Sequence, residues 1–261
     1  MRLLLTRPQE DSSPLATRLA ERGHETLVEP LLTIRPDLTA PLELDGVAGL
    51  LFTSANGVRA FALRSERRDL PAYAVGEATA QAARELGFAS VETAGGNVES
   101  LARLVGERRR PEDGALLHAA GSVTAGDLAG ALRDGGFEVR RAVLYAAEPV
   151  HALSQACATA LREGRLDAAV FYSPRTATAF VTLVQAAGIA ESVRSMTLVG
   201  MSEAVIEAGK ALPWARAVAA ASPDEPAMLE TIERLAEEAK RQAAGPPPVA
   251  VAAPRLSLIH I

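Results

Sequence analysis

Hydroxyl-bearing residues and glycines recur directly after short apolar runs, a placement suited to holding anions. Thr6-Arg7 follows Leu3-Leu4-Leu5, Thr53-Ser54-Ala55-Asn56 follows Leu50-Leu51-Phe52, and Gly76-Glu77-Ala78-Thr79 follows Tyr73-Ala74-Val75. Gly121-Ser122, Ser173-Pro174-Arg175 and Gly200-Met201-Ser202 close later runs in the same way. If each run is a parallel strand and each turn opens a helix, the turns lie at the carboxyl edge of a sheet. Helix N-termini there direct unpaired N–H groups outward. Each helix start carries about half a positive charge, so several aimed into one space suit a ligand with many carboxylates. Ser54, Ser122, Ser173 and Ser202 are also good N-caps, and Pro174 is a favoured first-turn proline, so capping accounts for each one singly. The collective arrangement carries the reading of an anion site.

Other chemistries find no support. No Gly-x-Gly-x-x-Gly follows a strand, and neither a phosphate-binding Gly-x-x-x-x-Gly-Lys-Ser/Thr loop nor a Gly-x-Ser-x-Gly elbow is present. The four histidines, His24, His118, His151 and His260, are scattered and form no ligand pair, so they read as packed or solvated. The single cysteine, Cys157, excludes an internal disulfide and any multi-thiolate metal site, and its alanine-rich surroundings predict a buried thiol. Lys+Arg 27 against Asp+Glu 32, a net charge of −5, argues against a nucleic-acid binder, which needs clustered cations. Aromatic residues at 4% leave few stacking platforms. Arg108-Arg109-Arg110 reads as a solvated run that could attract an acidic substrate. One thiol, an N-terminal apolar run too short for a signal peptide and no stretch of roughly 18–20 apolar residues predict a cytoplasmic protein without a membrane partner.

The elements that must position these turns follow from the alternation of apolar runs with amphipathic stretches, the pattern of βα units and a mostly parallel sheet. The chain of 261 residues, 48% apolar and 23% charged, has room for one or two globular domains. Strands are predicted at Leu3–Thr6, Gly49–Thr53, Ala72–Val75, Ala115–His118, Ala168–Tyr172, Thr197–Val199 and Ala215–Ala219. Helices are predicted at Gln9–Glu21, Asn56–Arg64, Glu77–Leu86, Val123–Arg133, Pro174–Ala187, Ser202–Ala208 and Asp224–Arg241, several closed by a glycine such as Gly23, Gly87, Gly188 or Gly209. Leu51–Phe61 resembles Val170–Phe180, and Ala74–Ala78 resembles Leu198–Ser202, which suggests two copies of one α/β unit. His24–Arg35 and Phe137–Val150 are long extended runs outside the βα rhythm. They read as paired crossover strands hinging two lobes, one from residues 1–35 and 149–240, the other from 36–148, with a tail over 241–261.

In this order the turns resemble the uroporphyrinogen-III synthase family. The matching segments are Leu4-Leu5-Thr6-Arg7-Pro8, Phe52-Thr53-Ser54-Ala55-Asn56-Gly57-Val58, Ala74-Val75-Gly76-Glu77-Ala78-Thr79-Ala80, Leu144-Tyr145, Phe171-Tyr172-Ser173-Pro174 and Leu198-Val199-Gly200-Met201-Ser202. The resemblance implies two similar α/β lobes, each a parallel sheet flanked by helices, joined by a two-stranded connector, with the active site in the interlobe cleft. It also implies a cofactor-free reaction. Hydroxymethylbilane, a linear tetrapyrrole with an acetate and a propionate on every ring, loses water and closes with its terminal ring inverted through a spiro intermediate, giving uroporphyrinogen III. Tyr145 matches the connector tyrosine suited to assisting hydroxide departure, its phenol with an ordinary pKa of about 10 acting as a hydrogen-bond donor. The alternative at that position is a tyrosine packed between connector strands. Thr79 and Ser202 match cleft positions where the family often has Thr, and Ser202 departs from it. Ser54 and Ser173 match substrate-side turns. The other proposed substrate contacts are Thr6, Arg7, Thr53, Gly76, Ser122, Arg175 and Gly200. Arg7, Arg59 and Arg175 are the candidate carboxylate partners. The expected partner is the small-molecule substrate alone, bound by a monomer.

Two further readings remain open from the residues: a two-lobed binding or regulatory protein that closes on a small polyanion without chemistry, and a sugar-nucleotide transferase, for which the chain is short and lacks a diphosphate glycine loop.

Overall fold

A computed structural model describes residues 1–123 and 126–243. Two sheets organise the chain. The first holds β1 (Arg2–Leu5), β2 (Glu25–Val28), β9 (Ala168–Phe171), β10 (Thr197–Gly200) and β11 (Arg216–Ala219), all parallel, in the order β11-β10-β9-β1-β2. The second holds β3 (Leu32–Pro36), β4 (Val47–Phe52), β5 (Ala72–Ala74), β6 (Val91–Thr93), β7 (Ala115–Gly121) and β8 (Val139–Pro149), in the order β3-β8-β7-β4-β5-β6. Only β3 runs antiparallel, against β8 from Leu32↔Pro149 to Pro36↔Tyr145.

Helices cover both faces of each sheet. On the first, α1 (Gln9–Glu21) and α9 (Glu225–Ala243) bury Leu15, Leu19, Met228 and Ile232 over Leu3, Leu5 and Val170. Its other face meets α6 (Gln155–Arg162), α7 (Pro174–Ala186) and α8 (Glu203–Gly209) through Cys157, Phe180 and Val205. On the second sheet, α2 (Ala55–Arg64) and α3 (Glu77–Glu85) lie on one face, and α4 (Val98–Arg108) and α5 (Leu128–Asp134) on the other. The near-continuous apolar strands are those of sheets buried on both sides. No described helix is long and apolar enough to cross a membrane.

Omitting β3, the two sheets carry the same strand order, with β4, β5, β6, β7 and β8 standing where β9, β10, β11, β1 and β2 stand. The internal repeat has a packing counterpart. Phe52 and Phe61 meet edge to face with centroids 6.0 Å apart, and their repeat partners Phe171 and Phe180 lie 5.3 Å apart. Phe88 against Phe52 and Trp214 against Phe171 complete each aromatic cluster edge to face.

The extended run at His24–Arg35 divides between the sheets. The chain leaves the first sheet after Val28 and enters the second at Leu32, turning at Glu29-Pro30-Leu31. Pro30 cannot donate to a ladder, which favours a break there. Glu29 is buried but satisfied: it accepts from the Ser154 amide at 2.7 Å and the Ser154 hydroxyl at 2.5 Å, tying the turn to the start of α6.

Several expectations are corrected. The helix expected over Val123–Arg133 begins only at Leu128, because Asp127 caps it by accepting from the Gly130 amide at 2.8 Å. Ser122 is therefore no N-cap. Gly209 lies inside α8 rather than beyond it; a side chain there would collide with Leu198, so the glycine permits helix–strand contact. β6, α4 and α6 were not predicted. Three residues are too few to show alternation, and the α4 start rests on a capping box between Asn97 and Ser100 without the usual Glu. Residues 241–243 of the expected tail complete α9; 244–261, with His260, lie outside the described residues.

Candidate functional site

In the second sheet the chain proceeds β4, β5, β6 in one direction and β7, β8 in the other, so strand order reverses between β4 and β7. At such a reversal the connections leave the carboxyl edge on opposite sides and open a crevice. Thr53 and Ser54 follow β4 there, Gly121 ends β7, and Tyr145 stands beside it on β8.

A bulge aims Tyr145. Ala120 pairs with Val143, but Gly121 pairs with Tyr145, leaving Leu144 as the extra residue. Bulges re-aim side chains, and here alternation fails: Leu144 and Tyr145 are both buried. The Ser122 amide donates to the Tyr145 carbonyl at 2.9 Å, and the ring lies against Gly121. Burial pushes the phenol above its ordinary pKa, while the Ser54 hydroxyl and the Arg175 charge pull it down. The net shift is upward, so the group is a neutral hydrogen-bond donor near pH 7.

The neighbouring residues are held firmly. Ser54 caps α2, accepting from the Asn56 amide at 3.1 Å. Thr53 Oγ1 lies 3.1 Å from Nε2 of His118, a buried residue of β7. Burial, then the Arg141 charge, push the His118 pKa down to about 4, so the imidazole is neutral near pH 7. Gly76 opens α3 in extended conformation, and Thr79 is buried in its first turn. Ser122 is exposed just after β7.

At the reversal of the first sheet, between β9 and β1, Thr6 and Arg7 are engaged by the protein's own groups. Thr6 is buried and donates to the Val170 carbonyl at 2.7 Å. Arg7 lies over the Tyr172 ring, 4.5 Å from its centroid, with Asp11 at 3.3 Å and Glu225 at 3.4 Å. Ser173 caps α7, accepting from the Thr176 amide at 3.2 Å, and its hydroxyl pairs with that of Thr176 at 2.7 Å. Gly200 ends β10 beneath Val205 and Ile206, and Ser202 begins α8 without a side-chain cap bond, leaving its hydroxyl uncommitted to the helix.

Residues from the two carboxyl edges meet. Arg59 of α2 donates to Asp11 of α1 at 2.6 Å and to Asn56 Oδ1 at 3.1 Å. Arg175 of α7 donates to the Ala147 carbonyl on β8. Gly96, beyond β6, approaches the Pro223 carbonyl, beyond β11. Arg7 and Arg59, chosen from sequence as carboxylate partners, thus already share one carboxylate, Asp11. Sequence reading passed over Asp11; His118, read from sequence as packed or solvated, is packed, and its link to Thr53 needs strand pairing to be seen.

Near the carboxyl edges stand the N-termini of α2, α3, α7 and α8, the guanidinium groups of Arg7, Arg59 and Arg175, and the O–H of one buried phenol, Tyr145, as a hydrogen-bond donor. Comparison with known proteins shows which family the chain is similar to. The family model described as uroporphyrinogen-III synthase HemD matches residues 13–230. Over 212 residues the chain is 27% identical to a uroporphyrinogen-III synthase of Chlorobaculum parvum, spanning 74% of this chain and 82% of that protein. The crystal structure of uroporphyrinogen-III synthetase from Helicobacter pylori superposes with a TM-score of 0.58 at 18% identity, over 90% of this chain and all 100% of that one. A mutant uroporphyrinogen III synthase from the extremely thermophilic bacterium Thermus thermophilus gives a TM-score of 0.50 at 16% identity, over 91% of this chain and 99% of that one. These structures share the α/β fold with parallel sheets flanked by helices.

Proposed function

The chain belongs to the uroporphyrinogen-III synthase family, and from that premise we propose how its residues carry out the cyclisation. It is an enzyme of tetrapyrrole biosynthesis, converting hydroxymethylbilane to uroporphyrinogen III with loss of water. We read the two sheets as two lobes, the β3–β8 pair as the connector, and the space between the carboxyl edges as the cleft for the substrate.

Ionisation comes first. The C–O bond of the hydroxymethyl group breaks, its electron pair leaves on oxygen, and the pyrrole nitrogen supplies the pair that forms an azafulvene cation. The Tyr145 phenol donates a hydrogen bond to the departing oxygen. Carbon–carbon bond formation at the terminal ring gives the spiro intermediate; its fragmentation and reclosure invert that ring, and loss of a ring proton balances the released hydroxide as water. The cation is reactive by itself, so the protein's main task is to fix which carbon attacks. Preorganised geometry can supply up to about 7–11 kcal/mol toward that end.

In this reading the amides at Ser54, Gly76–Thr79, Ser173 and Gly200–Ser202, with Thr53 and Ser122, hold acetate and propionate groups, and Arg7, Arg59 and Arg175 add charge. Thr6 serves through the β1–β9 junction. The enzyme acts as a monomer on a free small molecule. The observation that carries the proposal is the phenol of Tyr145 at the strand-order reversal, with Ser54 and Arg175 as polar neighbours from the two sheets. Incubation with hydroxymethylbilane, oxidation and separation of porphyrin isomers tests it: isomer III should dominate, whereas unassisted closure yields isomer I. Product no richer in isomer III than the protein-free control would reject it.

A further inference from the structure

Gly121 ends β7 in ordinary strand conformation, outside the left-handed region that calls for glycine. Glycine weakens a strand by roughly 0.5–1 kcal/mol relative to alanine, so its presence needs another reason. A β-carbon built on Gly121 would stand 2.9 Å from Tyr145 Cζ, 3.0 Å from Cε2 and 3.1 Å from the phenol oxygen. Carbon–carbon contacts settle at about 3.5–4.0 Å, so any side chain at 121 would drive the ring away by several tenths of an ångström or more. The reactive end of the tyrosine occupies the space the glycine leaves empty.

The bulge makes this seat specific. Because Leu144 is the extra residue, Tyr145 rather than Leu144 comes opposite Gly121, and the Ser122 amide pins the tyrosine backbone at 2.9 Å. With the backbone held and the rest of the side chain buried, the ring's position is set by the strand on which it rests. From sequence, the small residue at 121 suggested room for a ligand to approach the backbone; the structure gives that room to a side chain of the protein.

We propose that Gly121 is a positioning residue for the reaction: its bare α-carbon seats the Tyr145 phenol at the strand-order reversal, next to Ser54, in the orientation that meets the departing hydroxyl. The inference rests on the reading of Tyr145 as the donor.

Steady-state kinetics of the wild type, Gly121→Ala, Tyr145→Phe and the double variant test it. Gly121→Ala lowers kcat about tenfold or more with KM within about threefold, since displacements near 1 Å can cost about 100-fold. In the Tyr145→Phe background, where no hydroxyl is left to misplace, the same substitution changes kcat less than about twofold. Full turnover in Gly121→Ala, or equal losses in both backgrounds, overturns the proposal. The two readings separate cleanly. Wild-type turnover in Tyr145→Phe removes the donor role and this inference with it; slow Tyr145→Phe beside normal Gly121→Ala removes only the inference. If Gly121→Ala does not fold, combination with Tyr145→Ala removes the ring that the new methyl strikes. Return of a cooperative melt supports the seat, and its absence overturns it.

Discussion

His118 sits in the middle of β7 with Nε2 3.1 Å from Thr53 Oγ1, and burial is the main reason its pKa falls to about 4. A folded value below the unfolded value of about 6.5 means that the unfolded chain binds the extra proton between those limits. Stability tied to this residue is therefore complete above about pH 6.5 and is lost as pH falls toward 4. Between pH 7.5 and 4.5 the loss should be about 2–3 kcal/mol, and His118→Gln, which keeps a polar partner for Thr53, should lack it. Denaturant melts of both proteins at the two pH values decide the matter; equal acid sensitivity would place the effect elsewhere. Tyr145 works in the other direction. Its phenol stays protonated through the neutral range, so turnover should show no alkaline fall from that group below about pH 10. A limb near pH 8 that Tyr145→Phe abolishes would contradict this. Tyr145 was picked out only through the resemblance of Leu144-Tyr145 to the family's connector, and the link of His118 to Thr53 was hidden because 65 residues separate them.

The element that links chemistry to the sheet is α2. Its N-terminus carries Ser54, and its first turn lies so close to β7 that a β-carbon on Gly57 would stand 2.5 Å from the Ala119 carbonyl oxygen. Alanine is the better helix former by about 1 kcal/mol, yet a backbone oxygen cannot move aside as a side-chain tip can. Gly57→Ala should therefore destabilise the fold by about 1–3 kcal/mol and lower turnover by shifting Ser54. A thermal melt unchanged or raised would show that α2 can slide without cost. The α2 boundaries were readable because apolar spacing and a serine cap coincide. The start of α5 was misread because Ser122 resembles a cap, and only the Asp127–Gly130 bond shows where the helix begins. The bulge in β8 left no local mark, since an extra residue is defined by the partner strand.

At the scale of the molecule, Asp11 is the carboxylate that joins the two sheets. Arg59 reaches it at 2.6 Å from α2 and Arg7 at 3.3 Å from its own chain segment, with the Asp11 side chain only 10% exposed. If substrate carboxylates enter between the sheets, they meet arginines already occupied. Asp11→Asn should weaken the connection by on the order of 1 kcal/mol, broaden the small-angle scattering profile of the substrate-free enzyme, and lower KM by freeing Arg59. Scattering identical to wild type would mean that the bridge does not hold the halves together, and a raised KM would mean that Asp11 orients the arginines rather than competing for them. The matching strand orders explain why such a two-part design was foreshadowed by repeats: each copy needs the same apolar spacing to build the same sheet.

Local chemistry was already written along the chain: apolar runs buried on both faces demand strands, capping residues and glycines demand helix ends, and recurrence of the pattern demands two like units. These signals are short-ranged, so adjacent residues suffice to express them. Pairing across distance was decided only by the folded chain. The division of His24–Arg35 between two sheets, the seat of Tyr145 on Gly121, the neutral His118 against Thr53 and the shared Asp11 each depend on strands or helices far apart in sequence being driven together by burial of their apolar faces.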